Sequence, residues 1–399
     1  MITIVTYTAH PPVRNIDVKN GGVVHSPPVH RHRPTRPHSP GSQCTVRPQR
    51  WEEGVISPKI LLITMFDKEA DIWLKSDYKI TAVNVTMPGL ASRYPAVNCD
   101  AAGNICHITT DEGEINAALT LTALVDSTFF DFKKTYFFIT GIAGINPDVA
   151  SLGSATFAKY AVQVDLNYEF FHGDYPADWP VGYVPLGAKK PNVMPVWFYG
   201  TELYELNEAL RDRAVAAAAT AKLTDHDSIK KYRQQWRQRV AQQPPGVVKC
   251  DTATANIYWK GKVLGDYFAN YTTIVTEGRG RYCTTQQEDN ASLGALIRGA
   301  ARGVLDFGRI IILRTGADFD RPAPGMTAVE QLLGERGSHG GSMALTNMLL
   351  AGKPVVDDII RNWDKVFARG ITAKNYLGDV FNTLNDPKPD SKFIKGYEG

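Results

Sequence analysis

Three short runs constrain this chain more than anything else in it: Lys59–Phe66, Thr135–Ile139 and Arg309–Leu313. Each is strand-length and almost wholly apolar, the pattern of a strand buried on both faces of a parallel sheet. Helix-spaced segments separate them. Leu293, Leu296, Ile297, Ala300, Val304 and Leu305 recur at three- and four-residue steps and fall on one helical face. Asp289 or Asn290 can cap that helix, and Gly308 can end it. Alternating strands and helices predict an α/β fold, in which ligands settle beyond the strand ends. Three polar sites stand at such ends. Asp67 and Glu69 follow the first run, Thr140-Gly-Ile-Ala-Gly144 the second and Asp318 the third, while Glu288 stands just before the helix.

Other stretches set the limits. The 43% hydrophobic and 10% aromatic content of the 399 residues supports a substantial core. A formal charge of +3 is near balance, which argues against nucleic acid as a partner. No apolar run approaches the roughly 18–20 residues that cross a bilayer as a helix. Residues 1–57 differ from the rest. Prolines crowd there with arginines and five histidines (His10, His25, His30, His32 and His38), and acids are scarce. That composition predicts a disordered basic tail before a domain spanning 58–399. The start lacks the basic and apolar regions of a signal peptide.

Five cysteines preclude a complete set of internal pairs. Cys99 and Cys106 flank a turn, Asp100–Asn104, and are either a disulfide or two buried thiols. No zinc spacing is present, and no cofactor fingerprint: the glycines at 141 and 144 do not match the dinucleotide pattern. Asn84, Asn270 and Asn290 begin glycosylation sequons, which matter if the chain is secreted. The compartment stays open between secreted and membrane-associated.

Several stretches together resemble the purine nucleoside permease family of fungi and bacteria: Lys59–Phe66 with Glu69-Ala70, Glu114–Ala118, Ile139–Pro147, Glu288–Ala291 and Arg314–Asp318. The likeness runs from about Pro58 to the C-terminus. More distantly the same motifs resemble the purine nucleoside and uridine phosphorylase superfamily, which includes nucleosidases. The resemblance implies a single α/β domain with a central mixed sheet, partly closed like a barrel and flanked by helices. It also implies purine nucleosides as ligands, a membrane-associated partner for transport, and a homo-oligomer.

Carried onto this chain, Glu288 matches the acid that binds the ribose hydroxyls, with Gln287 where the superfamily has methionine. Asn290 falls in the same motif. Asp318 matches the acid facing the purine N7 edge. Thr140, Gly141 and Gly144 match the glycine-rich strand end under the sugar. Asp67 or Glu69 falls near the water-activating glutamate of nucleosidases. Breaking an N-glycosidic bond leaves positive charge on the sugar and negative charge on the base, so an acid at the base and a carboxylate at the ribose suit it. Ile139 and Ile142 stand where phosphorylases place Arg and Ser. A phosphate dianion beside two isoleucines would be costly, so hydrolysis is expected over phosphorolysis if the chain is an enzyme. Reversible nucleoside binding for uptake is the leading expectation.

Overall fold

The computed structural model describes residues 54–334 and 340–387. The predicted basic tail lies almost wholly outside them. Within them a mixed 13-stranded sheet is flanked by helices on both faces.

Its centre is the predicted set of apolar runs. The strand Ile60–Thr64 lies parallel between Ile105–Thr109 and Tyr136–Ile145. Tyr136–Ile145 in turn runs parallel to Ile310–Phe319 along its length. Alternate residues feed opposite cores, as a two-residue period requires. Leu61, Ile63, Phe137, Ile139, Ile310 and Ile312 pack with the helices Glu114–Val125 and Asp289–Ala301. Leu62, Phe138, Ile311 and Leu313 pack with Trp73, Leu210, Met348 and Val355 on the other side.

Two central strands are longer than the sequence suggested. The second run does not stop at Ile139 but continues as strand through Thr140 to Ile145. The run from Ile310 likewise continues to Phe319, so Asp318 is in the strand and not after it. Both extensions are mutual: Leu313, Arg314 and Thr315 pair with Thr140, Gly141 and Ile142. A ladder between long neighbours outweighs the turn preference of isolated glycines. The register shifts between Gly316 and Asp318, which brings Asp318 opposite Gly144. Such a bulge re-aims a side chain. Beyond these strands the sheet continues through Tyr282–Gln286, antiparallel to the Gly144–Ile145 end, and then Asp251–Thr254. The ladders do not establish the expected barrel closure. Ala155–Phe157 pairs with the Ile310–Phe319 strand and Tyr160–Gln163 with Asp251–Thr254, yet the two are chain neighbours and not a bonded pair.

Gly341–Arg361 is one helix that runs through Pro354. The strand Leu203–Glu205 precedes the helix Glu208–Ala218. Cys99 and Cys106 face each other across an antiparallel ladder and are disulfide-bonded. A second disulfide, Cys250–Cys283, was not foreseen. Asn84 and Asn270 are exposed, whereas Asn290 is buried. Among the described residues no helix is long and apolar enough to cross a membrane.

Candidate functional site

A cavity of about 180 Å³ opens at the extended ends of the central strands. A single water needs on the order of 10–15 Å³ by the same measure, so the space suits a molecule far larger than an ion. Glu69, Glu288 and Asp318 all line it, with Gly144, Gln287, Ile142, Lys260 and Arg314.

One end is sealed and acidic. Glu69 sits in the first turn of the helix Asp67–Leu74 and is 1% exposed. One of its oxygens accepts from the Met65 N–H at 2.9 Å, the other from the Ile142 N–H at 2.7 Å. Burial pushes its carboxyl up to about 8, although Arg314 pulls the other way. Glu288 occupies the cap position of the helix Asp289–Ala301. Its Oε1 accepts from the Gly113 N–H at 3.1 Å, and burial raises its pKa as well.

Arg314 joins these acids. It is 2% exposed, and its Nη2 donates to Asp289 at 2.6 Å and to Glu288 at 3.3 Å. Its Nη1 donates to the Ile142 carbonyl at 3.2 Å. The guanidinium fits because position 141 is glycine. A Cβ there would collide with Arg314 and come within 2.7 Å of Glu69 Oε1. The glycine serves close approach of a side chain, not a turn. Asp289 also accepts from Thr252 Oγ1 at 3.2 Å. Gln286 Oε1 receives the Glu288 and Asp289 N–H groups at 2.7 and 2.8 Å, satisfying the start of the helix.

The other end is more open. Asp318 is ion-paired with Lys260, whose Nζ also donates to the Phe319 carbonyl at 2.8 Å. The lysine side chain is 3% exposed and the aspartate 19%. Lys260 precedes the helix Lys262–Val275. The Gly261 N–H beside it donates to the Asp320 carbonyl at 2.8 Å, which ties this corner to the Asp318 strand. Ile257, Tyr258 and Trp259 form an apolar wall. The Tyr258 hydroxyl is pushed up to about 12, first by the charge of Asp318 and then by burial.

The remaining sequence candidates lie elsewhere. Asp67 is exposed and accepts from the Tyr94 hydroxyl at 2.6 Å; two residues are about half a helix turn, which puts it on the outer face while Glu69 points in. Thr140 is buried under the sheet and accepts from Trp73 Nε1 at 2.9 Å. Gly141 lies behind Arg314 and does not line the cavity. Asn290 is buried on the far side of its helix, donating to the Thr201 carbonyl at 2.6 Å and accepting from Thr254 Oγ1 at 2.7 Å. Gln287 lines the rim and donates to the Asn256 carbonyl at 2.9 Å. Arg314 and Lys260 were not singled out from the sequence. The arginine had a signal, since a charge inside an apolar strand must find a buried partner. Lys260 had none. No group of His, Cys, Asp and Glu suited to a metal ion occurs among the described residues.

An α/β protein with an acid-rich cavity of about 180 Å³ at its strand ends is the class these features define. Residues 57–372 match the family model of purine nucleoside permease (NUP). A purine nucleoside permease of Candida albicans is 46% identical over 84% of this chain and 83% of that protein. A probable purine nucleoside permease of Schizosaccharomyces pombe is 40% identical over 78% of this chain and 92% of its own length. The chain belongs to the purine nucleoside permease family. Among solved structures, the 5'-methylthioadenosine/S-adenosylhomocysteine nucleosidase of Neisseria meningitidis aligns over 76% of this chain and 100% of its own, at 10% identity and a TM-score of 0.44. Futalosine hydrolase of Helicobacter pylori aligns over 75% and 98%, at 14% identity and a TM-score of 0.45.

Proposed function

We propose that this protein binds purine nucleosides in the cavity between Glu69, Glu288 and Asp318, and does so in the service of nucleoside transport across a membrane. The observation that carries this reading is that Glu288 and Asp318, thirty positions apart in sequence, line one cavity of about 180 Å³. The family's name supports the ligand class. In this reading Glu288 accepts from the ribose hydroxyls, Gly144 lets the sugar lie against the strand, and the Asp318 end meets the base. A membrane-associated partner supplies the passage, and the working form is a homo-oligomer.

The cavity suits neutral nucleosides better than phosphorylated ones. Both lining cations are already committed, Arg314 to Asp289 and Glu288 and Lys260 to Asp318. A phosphate entering the cavity would face unneutralised acid and no free cationic cradle, which disfavours both nucleotides and phosphorolysis.

Glu69 favours a second reading, hydrolysis of the N-glycosidic bond. A cavity-lining carboxyl raised to about 8 is a stronger base than an ordinary carboxylate, so the fraction ionised near neutral pH is suited to taking a proton from water. Purified protein incubated with adenosine, guanosine and inosine separates the readings. Calorimetric binding without base release supports capture for transport, and free base released without phosphate supports hydrolysis. Release only with phosphate, or no binding at all, overturns nucleoside capture for transport.

A further inference from the structure

The base end of the cavity holds a pair and not a lone acid, and the chemistry of the pair assigns its parts. Purine N7 carries a lone pair and no hydrogen, in 6-amino and 6-oxo purines alike. It therefore needs a donor. Asp318 is ion-paired with Lys260, and an ion-paired carboxylate offers only lone pairs. Set against N7 it would repel. An ammonium has three N–H donors. Two of those on Lys260 are directed to Asp318 and the Phe319 carbonyl, which leaves one for a ligand. The side chain is nearly water-free and lines the cavity. A hydrogen bond given from there to a base competes little with solvent.

We infer that Lys260, and not Asp318, meets N7 of the purine, with Asp318 acting as the counter-ion that positions it. This rests on the nucleoside-binding reading above and names which atom of that site reads the base. It also implies tolerance at C6. With a 6-amino purine the amino group can donate to Asp318 while N7 accepts from Lys260. With a 6-oxo purine, N7 and O6 share the one remaining N–H of the ammonium as a three-centre bond. If the protein turns nucleoside over, the bond between C1′ and N9 breaks and its electron pair goes to the base. Nζ passes one proton to N7, and the resulting amine regains a proton from water. A water molecule adds its hydroxyl to C1′ and gives its other proton to ionised Glu69, which then releases it to the hydroxide left when the amine was reprotonated. In the binding-only case the same N–H is simply a hydrogen bond.

The test compares adenosine with 7-deazaadenosine, which has carbon at position 7, by calorimetry on wild type, Lys260→Met and Asp318→Asn. Wild type should prefer adenosine by about tenfold or more, the worth of one hydrogen bond from a charged donor. Lys260→Met should bind both compounds alike, whereas Asp318→Asn should weaken both yet keep most of the preference. Because Lys260→Met strands a carboxylate, the double variant Lys260→Met/Asp318→Asn is measured beside it and should show the same lost preference. Full discrimination surviving in Lys260→Met, or vanishing in Asp318→Asn alone, would make Asp318 the donor and overturn the assignment; discrimination surviving in the double variant would place the N7 contact on neither residue and overturn it equally. Wild type binding both nucleosides equally overturns it too. Wild type binding neither overturns the nucleoside reading itself.

Discussion

The two ends of the cavity carry the same kinds of charge and treat them differently. Around Arg314 every group is sealed: Glu69, Glu288 and Asp289 are at most 4% exposed, and each has several partners. Around Lys260 the aspartate keeps a path to water, and one exposed tyrosine forms part of the wall. The sealed end is preorganised: its groups hold one another in place before any ligand arrives. The open end can exchange a water, or a lysine contact, for the ligand's own atoms. A buried charge network is costly to assemble and costlier to leave half-assembled. Holding the sugar in a rigid frame while the base is read by an adjustable pair is the division of labour this contrast suggests.

The largest expected effect tests the sealed end. Arg314→Met strands two buried carboxylates and should lower unfolding free energy by about 3–5 kcal/mol in a urea titration. Lys260→Met, whose aspartate can turn to water, should cost about 1–2 kcal/mol in the same titration. Equal losses would erase the contrast. Next, Glu288→Gln should weaken ribonucleoside binding by about 1.5–3 kcal/mol and leave free bases nearly unaffected, by calorimetry. Parallel weakening of both would remove Glu288 from the sugar.

A smaller effect is pH dependence. The folded-state pKa of Glu69 lies above its ordinary 4.5, at about 8, so the native state holds this proton more tightly than the unfolded chain. Its contribution to stability is complete below about 4.5 and is lost as pH rises toward 8. Glu69→Gln should flatten that decline, measured as melting temperature against pH. An unchanged slope would mean the carboxyl is ionised throughout. The smallest effect should come from deleting residues 1–49: if they form a tail apart from the domain, the melting temperature stays within a degree or so of the full chain's.

The sequence was most legible where one period dominated. Apolar runs marked the central strands, and strand ends led to Glu69, Glu288 and Asp318. The extensions through Gly144 and Phe319 were hidden because each strand is stabilised by the other, and neither alone outweighs its glycines. The role of Gly141 was hidden because no local pattern shows that an arginine far along the chain will occupy its missing side chain. Lys260 was invisible for a related reason. It belongs to a segment of mixed aromatics, and only the fold carries it to Asp318. Glu69 could be separated from Asp67 only once the helix phase was known.

The flat spot at Gly141 has a consequence for how this molecule can vary. Adding a single methyl group there would push at the guanidinium and at the carboxyl of Glu69 together. An alanine at that position behind the cavity would thus unsettle Arg314 and Glu69 without altering any ionisable group. The space a side chain would take at this backbone step is already filled by the site's own charged groups.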